Sequence, residues 1–293
     1  PAAAEPSASQ VFSAPAGEAS RLTIRAATDL SAMAPLIADF QLLRPDVTVH
    51  HIDMSTADLY AHAVAHVDDP QADLLISSAA DLQVKLVNDG LTRPHVSPAT
   101  AALPDWANWR DEAFGFTFEP VVMVYNTDKM SAAEAPRSRD DLADLLRRQP
   151  DRFKLRVATY DASTSGVGYL LASLDSILYS AYWRLVTMLG AANTRLYCCS
   201  GDILDAVERG DALIGYNVLG SYARARVKAG APVGVVFPAG YTLVAARVAV
   251  IPRHAPQPQL AADFIDYLLS DRGQRIIAGP AALYAISPAA PGD

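Results

Sequence analysis

"FGFTFEPVVMVYNT", Phe114–Thr127, is a long apolar β segment interrupted once, at Glu119-Pro120. Proline has no N–H to give to a strand ladder, so it sits at edges, strand starts and bulges. Its place here argues against one ordinary central strand and predicts a bend where the chain passes from one lobe to another. "YTLVAARVAVIP", Tyr241–Pro252, is a second long apolar β segment and mirrors the first. Two such crossings divide the chain into a piece before, a piece between and a piece after.

The piece before changes period repeatedly. "RLTIRAAT" (Arg21–Thr28) reads as a strand, "MAPLIADFQLLRP" has helical spacing up to Pro45, and "DVTVHHIDM" reads as a strand again. "TADLYAHAVAHV" is helical, "ADLLISS" (Ala72–Ser78) is a short buried strand, and "DLQVKLVNDG" is a helix closed by Gly90. This βαβαβα order predicts a mainly parallel sheet with helices on both faces. The middle piece alternates in the same way, from the helix "RDDLADLLRR" and the strand "FKLRVATYD" to the strand "ALIGYNV" and the helix "GSYARARVKAG". "LAADFIDYLLSDRGQRIIAG" closes the chain as an amphipathic helical stretch. The expected fold class is therefore α/β with two lobes and two β hinge crossings. The expected boundaries are a flexible leader over 1–20, one lobe of 21–118 plus 241–293, and a second lobe of 119–240. Hinge segments are expected near 118–126 and 236–242. No tandem repeat of fixed period is present.

Composition narrows the partners. The net charge of −8, from 24 basic and 32 acidic residues, disfavours nucleic acid or an anionic membrane surface. No apolar run reaches the roughly 20 residues that span a bilayer. "PAAAEPSASQVFSAPAGEAS" at the start has almost nothing to bury and reads as a leader outside the fold, of the kind that follows a removed secretory signal. Cys198 and Cys199 are adjacent. Their Cα atoms lie about 3.8 Å apart, under the usual disulfide span of about 4.4–6.8 Å. A vicinal disulfide there would be strained, and two small buried residues are the plainer expectation.

Five stretches, "ADLLISSAAD", "FEPVVMVYNT", "DASTSGVGYLLA", "ALIGYNVLGSYA" and "AADFIDYLLSDRGQRIIA", give the chain a resemblance. It resembles the periplasmic solute-binding proteins of ABC importers, closest to the branch usually labelled ferric-iron-type, which also holds binders of sugar phosphates, phosphonates and carboxylates. The resemblance implies a two-lobed periplasmic-binding-protein-like fold that closes over one small solute. It also implies delivery to an ABC permease in the inner membrane, a periplasmic location and a monomer. The branch's iron binders use adjacent tyrosines on the second lobe. Tyr216-Asn217 stands at the matching place, without the second tyrosine.

Ligands of α/β sheets bind outside the carboxyl ends of the strands. The residues just after the predicted strands are Thr28 and Asp29, Ser55, Ser77 and Ser78, then Ser163, Thr164 and Ser165, then Tyr216 and Asn217. Glu119 and Tyr241, on the two crossings, join them as candidates. "STSG" at 163–166 has the form of a neutral anion cradle, in which hydroxyls stand beside the unpaired N–H groups of a helix start. It lacks the lysine of a P-loop. One hydroxyl acting as a plain N-cap is the competing reading. Glu119 and Arg247 interrupt apolar runs and read either as a pair or as ligand contacts. His62 and His66 share a helix face without the glutamate of a zinc protease between them, and read as solvated.

The expectation is a non-catalytic binder of a small anionic solute bearing a carboxylate, phosphate or phosphonate, with no catalytic residue, no resident metal and no cofactor. A ferric-ion binder of the same fold is the alternative within that class. A hydrolase using one of the serines is the alternative from another class, and the sequence lacks a G-x-S-x-G elbow.

Overall fold

The computed structural model describes residues 8–286. The chain forms two compact units, one of Pro1–Phe118 and Ala246–Asp293 and the other of Glu119–Ala245. Each holds one β-sheet flanked by helices. Among the described residues no helix is long and apolar enough to cross a membrane.

The first unit has strands β1 (Ala8–Phe12), β2 (Ser20–Ala26), β3 (Val47–Asp53), β4 (Leu74–Ser77), β5 (Asn108–Trp109), β6 (Ala113–Gly115) and β13 (Val248–Val250), in the spatial order β1-β3-β2-β4-β13-β6-β5. β3, β2 and β4 are parallel neighbours, joined through helices α1 (Leu30–Leu43) and α2 (Thr56–Ala65). The remaining pairs are antiparallel. The sheet is therefore mixed, not mainly parallel. The reason is β13, which arrives from the second unit and inserts between β4 and β6 in the opposite sense. Helices α3 (Ala80–Asn88), α4 (Pro98–Ala101), α11 (Pro258–Leu269) and α12 (Asp271–Ala278) complete the unit. Its core joins Phe40 of α1 to Phe264 of α11, edge to face with centroids 4.9 Å apart.

One expectation about the leader fails. Ala8–Phe12 is not outside the fold but pairs antiparallel with β3, from Ala8↔Asp53 to Phe12↔Val49. β3 has only one other neighbour, so its outer edge offers unpaired N–H and C=O groups that the extended segment satisfies with its backbone, while Phe12 packs against the core and its carbonyl accepts from Gln41 Nε2 at 3.0 Å. The rest of the leader before Ala8 lies outside the described residues.

The second unit has β7 (Glu119–Asn126), β8 (Val157–Tyr160), β9 (Arg195–Tyr197), β10 (Ile214–Leu219), β11 (Val233–Val236) and β12 (Val244–Ala245). The order is β11-β7-β10-β8-β9, with β12 also on β7. β10, β8 and β9 are parallel, while β7 runs against β10, β11 and β12. Helices α5 (Arg139–Arg148), α6 (Pro150–Phe153), α7 (Gly166–Leu178), α8 (Tyr182–Ala191), α9 (Ser200–Glu208) and α10 (Gly220–Lys228) surround it. Pro120 stands second in β7, opposite Val244 of the two-residue β12, a strand-start position that tolerates the missing N–H. Tyr241 and Leu243, expected with the first lobe, pack into the core of this unit.

Gly168 lets α7 start directly against β8. A Cβ there would stand 2.5 Å from Tyr160 Cβ, closer than packed carbons approach. Gly168→Ala is expected to cost about 1–3 kcal/mol through overpacking, read as a lowered midpoint in thermal melting.

Candidate functional site

The strand ends of the first unit carry hydroxyls and carboxylates. Thr28 is buried, and its Oγ1 accepts from Arg247 Nε at 3.2 Å. The Arg247 backbone N–H donates to Thr117 Oγ1 at 2.9 Å, so threonines fix both the backbone and the buried side chain of this residue. Asp29 stands at the N-cap of α1 without a side-chain cap bond. Asp53, at the end of β3, has its carboxyl pushed up to about 7, first by burial and then by the charge of Asp29. Ser55 caps α2: its Oγ accepts from Asp58 N at 3.1 Å and donates to Asp58 Oδ2 at 2.7 Å. Ser77 Oγ accepts from Ala79 N at 3.1 Å, and Ser78 is buried beside it. Ser55 and Ser77 thus have local structural work, which their place before a helix made foreseeable.

In the second unit the three hydroxyls of "STS" are all engaged. Ser165 is the N-cap of α7, its Oγ accepting from Gly168 N at 3.2 Å. Ser163 turns the other way and donates to Asp161 Oδ1, from its hydroxyl at 2.6 Å and from its backbone at 2.9 Å. Those two bonds, joined by the Thr164 hydroxyl, hold the Asp161 carboxyl below the usual carboxylate range. The loop does bind an oxyanion, but the oxyanion is the chain's own. The expected cradle of empty donors is corrected accordingly. Asp161 N is in turn fixed to Tyr197 O at 2.8 Å, at the end of β9.

Two residues on from β9, Cys198 and Cys199 are joined as a vicinal disulfide and are half-buried, against the expectation of two buried thiols. Among the described residues the one three-donor grouping of metal-ligand type is Cys198, Cys199 and Asp202, and its two sulfurs are bonded to each other. His62 and His66 stack with centroids 4.1 Å apart, and each ring donates to a carbonyl, of Pro70 and His62 respectively.

The polar centre of the unit was not visible in the sequence. Asp175 of α7 is fully buried and receives four donors: Arg139 Nε at 2.9 Å, Tyr216 OH at 2.5 Å, Asn217 Nδ2 at 2.8 Å and Tyr241 OH at 2.6 Å. These fill the roughly four lone-pair sites of a carboxylate. Arg139 also donates from Nη1 to Tyr241 O at 3.0 Å and lies over the Tyr241 ring, 3.9 Å from its centroid. Tyr216 and Asn217 reach the same carboxylate because β10 is irregular between Gly215 and Val218 and Asn217 takes a left-handed φ of 60°. Adjacent side chains of a regular strand would face opposite ways. Burial, then the charge of Asp175, pushes the Tyr216 phenol well above its ordinary range. The signal that would have found this cluster is Asp175 itself, which follows Val167 and Leu171 at four-residue steps on the buried face of α7.

Tyr216 and Asn217 also border a cavity of about 440 Å³ contained in this unit. Its floor is β8 and β9, through Thr159, Tyr160 and Leu196, and its walls are α7 and α8. Ala162, inside the Asp161–Ser165 loop, lines one end. Glu119 is fully buried at the start of β7, in register with Ala245.

The family model for bacterial extracellular solute-binding proteins matches residues 22–279. The chain belongs to that family. This solute-binding protein is 36% identical to the substrate-binding protein of an ABC transporter from Agrobacterium tumefaciens, with a TM-score of 0.93 over 96% of this chain and 84% of that one. The periplasmic binding protein AfuA from Actinobacillus pleuropneumoniae, solved with fructose-6-phosphate, shares 18% identity over 94% of this chain and 88% of its own, with a TM-score of 0.83. Iron-bound HitA from Pseudomonas aeruginosa shares 18% over 93% and 88%, with a TM-score of 0.76. At that identity both show the fold alone. No curated protein matches the sequence.

Two outcomes are expected for this solute-binding protein. Asp175→Ala leaves Arg139 buried without its partner, which should cost about 3–5 kcal/mol in chemical denaturation. Asp53 holds its proton in the folded state up to about pH 7, whereas the unfolded carboxyl loses it near the ordinary aspartate value of 3.8. The neutral form therefore favours the fold at low pH, and that advantage is lost as pH rises from about 4 to about 7. Asp53→Asn should raise the melting temperature at pH 8 and change it little at pH 4.

Proposed function

We propose that this solute-binding protein serves an ABC transporter, capturing a small anionic solute outside the cytoplasm and handing it to a membrane permease. The supporting observation is the Asp161–Ser165 loop at the start of α7. Its hydroxyl and backbone donors already stabilise a carboxylate, as the lowered pKa of Asp161 reports. Donors that hold one carboxylate suit a solute oxyanion of similar geometry, and α7 adds the favourable end of its dipole. The 36% identical Agrobacterium protein supports the transporter role. AfuA's fructose-6-phosphate and HitA's iron are ligands of those proteins, and 18% identity carries neither across.

Ferric ion suits the site poorly. It calls for several anionic or phenolate oxygens together, yet the Tyr216 hydroxyl donates to Asp175, accepts from Arg139 and is pushed well above its ordinary range, and Asp161 is held by its own loop. Hydrolysis also lacks its machinery. Among the described residues Ser9 and His50 share a 2.8 Å hydrogen bond with no carboxylate orienting the ring, while Ser97 and His95 each bond Asp266 Oδ1, at 2.6 and 2.8 Å, and not each other, so no serine meets a carboxylate-oriented histidine.

Because Asp161 occupies the donors, a solute anion must displace it. The sign of one substitution therefore decides the reading. Asp161→Asn should tighten anions such as citrate or a sugar phosphate about tenfold, or ~1.4 kcal/mol, measured by calorimetry on protein unfolded and refolded to strip any retained solute. Weaker binding of every anion, with tighter binding of amines or polyols to the unaltered chain, would overturn the anionic reading.

A further inference from the structure

We infer that the solute is amphipathic: an oxyanion head held at the Asp161–Ser165 loop and an uncharged, mostly apolar body seated in the cavity beside it. The inference rests on the solute-binding reading above and adds the class of solute.

The cavity's size, about 440 Å³, falls within the range of small-molecule sites. None of its lining side chains carries a charge. Most of its polar walls are spent on other partners, the exceptions being the side chains of Tyr182 and Asn193. Thr159 Oγ1 donates to Tyr216 O at 2.9 Å, and Thr194 Oγ1 donates to Leu189 O at 2.7 Å. The Tyr160 and Ser200 hydroxyls share a hydrogen bond, and Tyr216 and Asn217 are tied to Asp175. A ligand here meets mostly carbon and already-bonded polar groups, with only the neutral Tyr182 hydroxyl and Asn193 amide left to it, which rewards apolar surface and offers a second charge no counter-charge.

Small residues create the space. α7 presents Gly168 and Ala172, one turn apart, to the cavity, so no side chain from that helix fills it. α8 presents Val186, Leu189 and Gly190. A Cβ at Gly190 would have nothing within 4 Å, so local packing does not demand this glycine, although glycine inside a helix costs about 1 kcal/mol relative to alanine. The position leaves the rim open. Ala162 ties the two parts together. It lines the cavity while its neighbours Asp161 and Ser163 form the oxyanion loop.

The test is calorimetry on the full refolded chain with matched probes: propionate, 3-phenylpropionate and the uncharged 3-phenylpropan-1-ol. The phenyl acid is expected to bind about ten to a hundredfold tighter than propionate, the gain for burying one ring. Ala172→Phe, which fills the cavity, should erase that gain and leave propionate as before. Gly190→Leu, which narrows the rim from an open position, should reduce it even if the first variant folds poorly. Equal binding of propionate and 3-phenylpropionate would overturn the amphipathic inference and leave the anionic head standing. Binding of the alcohol as tight as that of the acid, lost in both variants, would instead overturn the anionic head and with it the amphipathic assignment. No binding of any probe at millimolar concentration would overturn the inference as well.

Discussion

The buried carboxylate of Asp175 is the constraint on which the second unit turns. A fully desolvated carboxylate is tolerated only when its acceptor sites are filled. Here they are filled by four donors from four places: the start of α5, two successive residues of β10 and the segment that leads into β12. No two of these elements can shift independently without stranding the charge. The irregular β10 and the left-handed Asn217 follow from the same demand, since only that backbone aims Tyr216 and Asn217 at one carboxylate. The wall of the cavity takes its chemistry from it too, because the polar heads of Tyr216 and Asn217 face Asp175 and leave their carbon to the ligand side.

Electrostatics at the strand ends has a common logic in both units. Carboxylates are placed where solute would be expected: Asp29 and Asp53 in one unit, Asp161 in the other. They respond oppositely. Asp53, half-buried, stands near another carboxylate and keeps its proton to about pH 7, while Asp161, also half-buried, is surrounded by donors and held below the usual carboxylate range. An overall charge of −8 does not forbid the proposed anion site, where a local negative group, Asp161, already takes the donors. Net charge and site charge are separate quantities. The three hydroxyls at 163–165 show the same separation: as residue types they advertise spare donors, but the structure gives two of them to Asp161 and one to the helix cap.

Much of the fold was legible in residues with local consequences. The switch of period between "RLTIRAAT" and "MAPLIADFQLLRP" marks β2 and α1, and Glu119-Pro120 marks the start of β7 beside the passage between units. The mainly parallel sheet was not legible, because strand direction within a sheet depends on which distant strand arrives beside it. β13 settles that in the first unit and β7 in the second. Ala8–Phe12 misled for a related reason: the leader as a whole has little to bury, yet an open sheet edge accepts backbone from an extended segment, and Phe12 at its end packs against the core. The return to the first unit was placed at Tyr241 on the strength of a continuous apolar run, whereas Tyr241 is claimed by Asp175 and Arg139, and the chain leaves only after Ala245.

The sequence by itself determined the class of the protein. Alternating periods, two β crossings and the closing amphipathic helices specify an α/β pair of units, because hydrophobic periodicity and proline act within a few residues of where they stand. It also determined which residues follow the strands. What only the tertiary structure decided is which of those polar groups are available. Arg139, Asp175, Tyr216 and Tyr241 are dispersed over a hundred residues of chain, and a hydrogen bond among them is a fact of distance in space. A side chain's chemistry is written in its identity, but whether that chemistry is already spent depends on neighbours that folding alone brings within 3 Å.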